Sequence, residues 1–270
     1  MARQFISVEK GLGPEGRIAV VRFDRGDNIN ALSQQAMREL RDVPRDFEDD
    51  LQTSVVILTG SAKAFCAGFD LKDPEGRKRD TLSVGERIQR GRLGPKMCKA
   101  WQDMDQVTIA AIEGHACAGG LGVALFCDIR IVDETASFGV FSRRWGVPMS
   151  DGTTVRLPRV IGQGRAMDML LTGRAVGADE AIAIGLATRK VARGTTRTEA
   201  EKLAAEIAGF PPIAMTSDRQ SAYESFDRAE ASAIQREMEL SLAARRQESQ
   251  SGAARFAKGE GRHGKFERSK

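Results

Sequence analysis

The chain has 270 residues, enough for one core domain plus an appendage. Apolar residues make up 41% and charged residues 29%, the balance of a globular protein in water, and no apolar run approaches the ~20 residues of a membrane span. The start MARQFISVEK lacks the apolar core of a signal peptide, so a cytoplasmic protein is expected.

The formal charge is +4, with Lys and Arg gathered in 77–99 and again after Arg255. No nucleic-acid module or aromatic interleaving accompanies them, so neither a nucleic acid nor a membrane is an expected partner. Cys66, Cys98, Cys117 and Cys127 lack C-x-x-C spacing, which argues for buried thiols in a reducing compartment rather than zinc.

In chain order, FISVEK at 5–10 and RIAVVRF at 17–23 read as a β-hairpin. Between them GLGPEG matches the letters of a dinucleotide fingerprint, but a strand follows it where that motif needs a helix. Ser33 reads as the N-cap of a helix carrying Met37, Leu40 and Phe47. SVVILTG at 54–60 is a buried strand, followed by the loop SAKAFCAGFDLK at 61–72. Residues 73–106 are polar, with a helix expected from about Ser83 to Asp105.

The stretch that organises the chain is VTIAAIEGHACAGGLGVALFCD, Val107 to Asp128. It reads as a strand, a glycine turn and a helix apolar on every face. The first turn of a helix leaves N–H groups unpaired at the positive dipole end, and small residues at 118–120 let a ligand oxygen approach them. His115 and Glu113 beside the turn read as structural, through packing or hydrogen bonding. A strand over 129–132, helices over 164–176 and 178–185 and a strand over 186–191 follow. After Gly194 the composition shifts to helix formers, with Pro211 and Pro212 breaking the run. The expected division is a core over 1–194 and a helical region over 195–270.

Two motifs stand in register: AFCAGFDL at 64–71 and, some fifty residues on, the GHACAGG turn of 114–120. DNINAL at 27–32, ASFGV at 136–140, RLPRVIG at 156–162 and the run from LLTGR to GLATRKV at 170–191 extend the pattern along nearly the whole chain. In these features the chain resembles the crotonase (enoyl-CoA hydratase/isomerase) superfamily. The resemblance implies an α/β fold, a spiral of repeated ββα units with a C-terminal helical trimerisation region, and a homotrimer or dimer of trimers. It implies an acyl-CoA thioester as substrate, with coenzyme A arriving as part of it and no permanently bound cofactor.

The resemblance also assigns roles. The backbone N–H groups of Phe69 and Gly119 become an oxyanion hole for the thioester oxygen. Lys63, Ala67, Gly68 and Asp70 in the loop, and Lys265 and Phe266 in the tail, become coenzyme contacts. The resemblance fails at the acid–base positions. Hydratases of the family carry one glutamate three residues after the oxyanion glycine and a second after FG, and here these places hold Gly122 and Ser142. Two carboxylates suit hydration because one activates water while the other delivers a proton to carbon. The nearest remaining carboxylate is Asp151, which reads equally as the N-cap of a helix at GTT. Arg143, Arg144 and Trp145 read either as a surface patch or as a pocket wall. The expected function is an acyl-CoA enzyme working through an oxyanion-stabilised enolate, hydratase/isomerase-like but with altered acid–base groups. The alternative is a non-catalytic acyl-CoA-binding protein on the same fold.

Overall fold

The structure, a computed structural model, describes residues 3–61, 63–77 and 82–260. Its strands are β1 (Ile6–Leu12), β2 (Ile18–Phe23), β3 (Ala31–Leu32), β4 (Val55–Thr59), β5 (Ala64–Cys66), β6 (Gly68–Phe69), β7 (Val107–Ile112), β8 (His115–Cys117), β9 (Ile129–Val132), β10 (Ser137–Gly139), β11 (Val176–Gly177) and β12 (Arg189–Lys190). Its helices are α1 (Gln34–Asp42), α2 (Pro74–Arg77), α3 (Val84–Gly91), α4 (Leu93–Gln102), α5 (Gly119–Phe126), α6 (Thr153–Ile161), α7 (Gln163–Thr172), α8 (Ala178–Ala183), α9 (Thr196–Ala208), α10 (Pro212–Glu224), α11 (Glu230–Gln247) and α12 (Ser249–Ala257). A 3₁₀ turn covers Phe141–Trp145.

The first compact unit ends at Ile207. Its main sheet has the order β1-β2-β4-β7-β9-β12, with the β1–β2 hairpin antiparallel and every later pairing parallel. A second sheet has the order β11-β10-β8-β5. The chain repeatedly lays one strand in the main sheet and the next in the second before entering helix: β4 then β5, β7 then β8, β9 then β10. That alternation is the repeated ββα spiral. β4 and β7 are buried along their apolar runs, as strands covered on both faces must be.

The second sheet alters the reading of the 107–128 stretch. His115 belongs to strand β8, not to a turn, and its side chain is exposed rather than packed. β8 lies between β5 and β10, so the oxyanion segment is fixed by pairing on both sides. α5 is buried on all faces, matching its uniformly apolar GGLGVALF sequence, and packs against α4 and α6. The single helix expected over 83–105 is two, α3 and α4, meeting at Arg92.

α9 packs within the first unit, with Ala200 and Ala204 fully buried. Thr196 donates to Glu113 at 2.8 Å and Gly194 N–H to Asp133 at 3.0 Å, which ties the start of α9 to the main sheet. The unit therefore runs beyond the boundary at 194 read from composition. The second unit, from Ala208, contains α10, α11 and α12. Glu248 accepts the N–H groups of Ile213 and Ala214 at 3.0 and 2.8 Å, capping the positive end of α10. Ile234, Met238 and Leu242 recur every four residues on α11, and all three are about half exposed or more. No described helix is long and apolar enough to cross a membrane.

Candidate active site

One side of the site is backbone. Asn30 is fully buried and donates its amide to Phe23 O and Ala64 O at 2.9 and 3.0 Å, while its Oδ1 accepts Arg25 N–H. Ala67 N–H reaches Ile29 O, Asp70 N–H reaches Leu32 O, and β3 pairs with β6 between them. The asparagine turn thus fixes the loop that carries Phe69.

Gly68 (φ +95) faces the start of α5. A Cβ at Gly68 would stand 2.8 Å from Cys117 O and 3.1 Å from Gly119 N, so only glycine allows this approach. A Cβ at Gly119 would in turn meet the Phe69 ring at 3.1 Å. The two residues read as oxyanion donors therefore lie side by side, although fifty positions separate them. Ala118 turns the chain between them with φ +46 and ψ −115, a conformation that costs a non-glycine residue about 1–3 kcal/mol. Its N–H is held by Gly139 O at 2.8 Å, and the first helical bond of α5 runs from Gly122 N to Ala118 O. The N–H of Gly119, in the first turn, has no carbonyl one turn earlier in the helix to bond.

Beside this turn opens a pocket of about 530 Å³, counting its mouth. Ala67, Phe69 and Ala118 form one wall; Phe141, Ser142, Trp145 and Met149 form the other. Trp145 lines it while remaining 74% exposed. The adjacent arginines are directed elsewhere. Arg143 donates to Leu170 O, while Arg144 donates to Gly173 O and covers the Phe141 ring at 4.8 Å. Ser142 touches Met149 Sδ at 3.5 Å, so no carboxylate occupies its place in the wall.

Asp151 lies in the turn before α6, off the pocket lining. It is fully buried, and its Oδ1 accepts Thr153 N–H at 3.0 Å; the N-cap of α6 is Gly152, so Asp151 stands one residue before the cap that its sequence suggested. Its Oδ2 has no hydrogen-bond partner, and neither has the buried Thr153 Oγ1. Both atoms crowd Gly122: a Cβ there would lie 2.7 Å from Asp151 Oδ2 and 2.9 Å from Thr153 Oγ1. Burial pushes the Asp151 carboxyl above the ordinary carboxylate range, with Thr153, through its N–H and its nearby hydroxyl, opposing in part. Cys66 on β5 is likewise pushed up by burial, to about 12, and Cys98 on α4 well above its ordinary value. These thiols are neutral packing groups.

The other residues read from sequence fall as follows. Asp70 turns its carboxylate inward: Oδ2 pairs with Arg25 at 3.0 Å and Oδ1 accepts Lys72 N–H. Burial alone would raise it, but Arg25 and Lys72 outweigh burial and hold it below the ordinary range. Lys63 and Lys72 have exposed side chains on the flanks of the loop. Lys265 and Phe266 lie outside the described residues. Sequence reasoning missed Arg25, Thr153 and Gly94; a Cβ at Gly94 would meet Ser150 O at 2.7 Å, so α4 approaches the Asp151 turn only through glycine. Nothing local marks the approach of Gly94 to Ser150 or of Thr153 to Gly122, both of which join segments distant in sequence.

The family model for enoyl-CoA hydratase/isomerase matches residues 13–268. This chain belongs to that family. Among its relatives within the crotonase superfamily, the short-chain-enoyl-CoA hydratase of Clostridium acetobutylicum is 34% identical over 211 residues, 78% of this chain and 79% of its own. The crotonyl-CoA hydratase of Syntrophomonas wolfei is 33% identical over 83% of each chain. The crystal structure of the enoyl-CoA hydratase from Bacillus anthracis superposes with a TM-score of 0.85 at 30% identity, covering 94% of this chain and 96% of that one. In this crotonase-family chain Gly122 lies on α5 and Asp151 in the turn before α6.

Proposed function

We propose that this protein is an acyl-CoA thioester enzyme that forms an enolate held by Phe69 N–H and Gly119 N–H, with Asp151 as its proton-transferring carboxyl. The supporting observation is the crowding of Asp151 Oδ2 and Thr153 Oγ1 against Gly122. A buried polar atom without a partner is costly, and its persistence beside a helix start built for an anion points to chemistry rather than packing. Negative charge develops on the thioester oxygen as the α-proton leaves, and preorganised N–H groups stabilise that charge most in the transition state. A carboxyl raised by burial is suited to exchange that proton near neutral pH.

Gly122 and Ser142 bring no carboxyl, and among the described residues Asp151 is the one we assign to the site, whereas hydration draws on two. Crotonyl-CoA hydration is therefore expected to be slow, and one-base reactions such as isomerisation or α-proton exchange favoured. The uncharged wall of Phe69, Phe141, Trp145 and Met149 fits an apolar acyl group. The apolar stripe of α11 fits packing against further copies, as a trimer or dimer of trimers, and light scattering that found a monomer at micromolar concentration would overturn this.

A second reading, an acyl-CoA-binding protein without chemistry, draws on one observation: Asp151 has no exposed surface and does not line the pocket. A panel of acyl-CoA thioesters assayed for turnover and for α-proton exchange in D₂O separates the two. Exchange that disappears in Asp151→Asn supports the enzyme; binding without exchange for every thioester supports the second reading.

A further inference from the structure

Thr153 opens α6 with its hydroxyl turned inward, fully buried and without a hydrogen-bond partner. A threonine at the first position of a helix gains nothing from this arrangement, because a hydroxyl turned to water would be satisfied at no cost. Its backbone N–H is already used on Asp151 Oδ1, which fixes the turn without help from the side chain. The hydroxyl instead points at the same spot beside Gly122 as Asp151 Oδ2, the other orphan. Two unpartnered polar atoms converging on one glycine, from a turn held by its own capping bond, form a single polar unit.

We propose that Thr153 is the positioning residue of this site: its hydroxyl, set on the same spot as Asp151 Oδ2 and donating to it through one water, decides whether that carboxyl holds its proton. This rests on the reading of Asp151 given above and adds the group that governs it. The charge logic follows from what surrounds the pair. α4 contributes the Cys98 thiol and β5 the Cys66 thiol, both neutral by burial. α5 contributes only Gly122 at this point. On α6 the charged neighbour is Arg156, which donates to Leu125 O and faces the Phe126 ring at 5.4 Å. With burial favouring the neutral acid, a hydroxyl donor favours the carboxylate, and the Thr153 hydroxyl faces the same point beside Gly122 from the same turn.

The test is the titration of the Asp151 carboxyl in ¹³C-aspartate-labelled protein, followed by NMR and assigned with Asp151→Asn. In Thr153→Val, which keeps the shape and removes the donor, the midpoint is expected to rise by about one pH unit. Thr153→Ser should return it to the wild-type value. If valine does not fold there, Thr153→Cys, a weak donor of similar size, should give a smaller rise in the same direction. A midpoint that stays put in Thr153→Val or Thr153→Cys overturns the proposal, since a merely structural threonine would change stability and not titration. Failure of the catalytic reading looks different. If the midpoint moves with Thr153 but α-proton exchange survives in Asp151→Asn, Thr153 governs a carboxyl that does no chemistry.

Discussion

The two sides of this site are built from different material. The oxyanion side, β6 and the start of α5, is backbone, held by the Asn30 hydrogen bonds and by glycines that no side chain could replace. The side proposed for acid–base chemistry, from Phe141 to Thr153, is made of side chains, with Asp151 in the turn before α6 and glycine facing it on α5. Backbone donors are insensitive to which residues carry them, so that side can stay constant while the chemistry changes. Side-chain groups must be placed atom by atom.

The largest expected effect falls on the side-chain half. Asp151→Asn can keep the capping bond from Thr153 N–H through its amide oxygen, so the fold should survive while turnover or exchange falls by about 10²–10⁴-fold. Steady-state kinetics beside a CoA-thioester binding isotherm would check this; a variant that binds and turns over normally removes Asp151 from the mechanism. On the backbone half, Gly119→Pro deletes a donor, and turnover should fall by about 10²–10³-fold. Gly119→Ala keeps the N–H while placing a methyl 2.8 Å from Leu32 Cδ1, and it serves as the control for crowding. Equal losses in the two variants would make the effect steric.

A third substitution tests whether the two arrangements exclude each other. Gly122→Glu, restoring a glutamate on α5, would drive its Cβ to 2.7 Å from Asp151 Oδ2 and should cost about 1–3 kcal/mol of stability in a denaturant titration. Adding Asp151→Gly should recover much of that loss. Adding Ser142→Glu without vacating Asp151 should not yield a hydratase. Trp145→Ala should weaken binding of apolar acyl-CoA thioesters by about tenfold, and free coenzyme A much less, in calorimetry.

The smallest effect is on pH dependence of stability. Asp151 has its folded carboxyl raised by burial, so it binds its proton more tightly folded than unfolded. Its favourable contribution is complete below the ordinary carboxylate range and is lost as pH rises through the raised value. Asp151→Asn should therefore gain stability over wild type at neutral pH, with the difference narrowing as pH falls toward 4. A difference independent of pH would show that the carboxyl is not ionising inside the fold.

Sequence alone determined most of the elements and the family. Strand runs such as VVILT and VTIAAI, the uniformly apolar GGLGVALF and the AFCAGFDL loop are local patterns whose physical meaning does not depend on distant residues. The vacancy at Gly122 and Ser142 was legible too, by counting from Gly119 and from FG. Asp151, in contrast, reads as a helix cap in its local sequence; it stands one residue before the cap, Gly152, and its Oδ1 holds Thr153 N–H in the turn. What only the tertiary structure decided is that its other oxygen faces Gly122 from across the core, with Thr153 beside it and Gly94 making room behind. The same holds for the pairing of Phe69 with Gly119, the second sheet that places His115 in a strand, and the turning of Arg143 and Arg144 away from the pocket. Each is a contact between segments remote in sequence, and such contacts follow from how β5, β8, α4, α5 and α6 stack together, which no local residue pattern encodes.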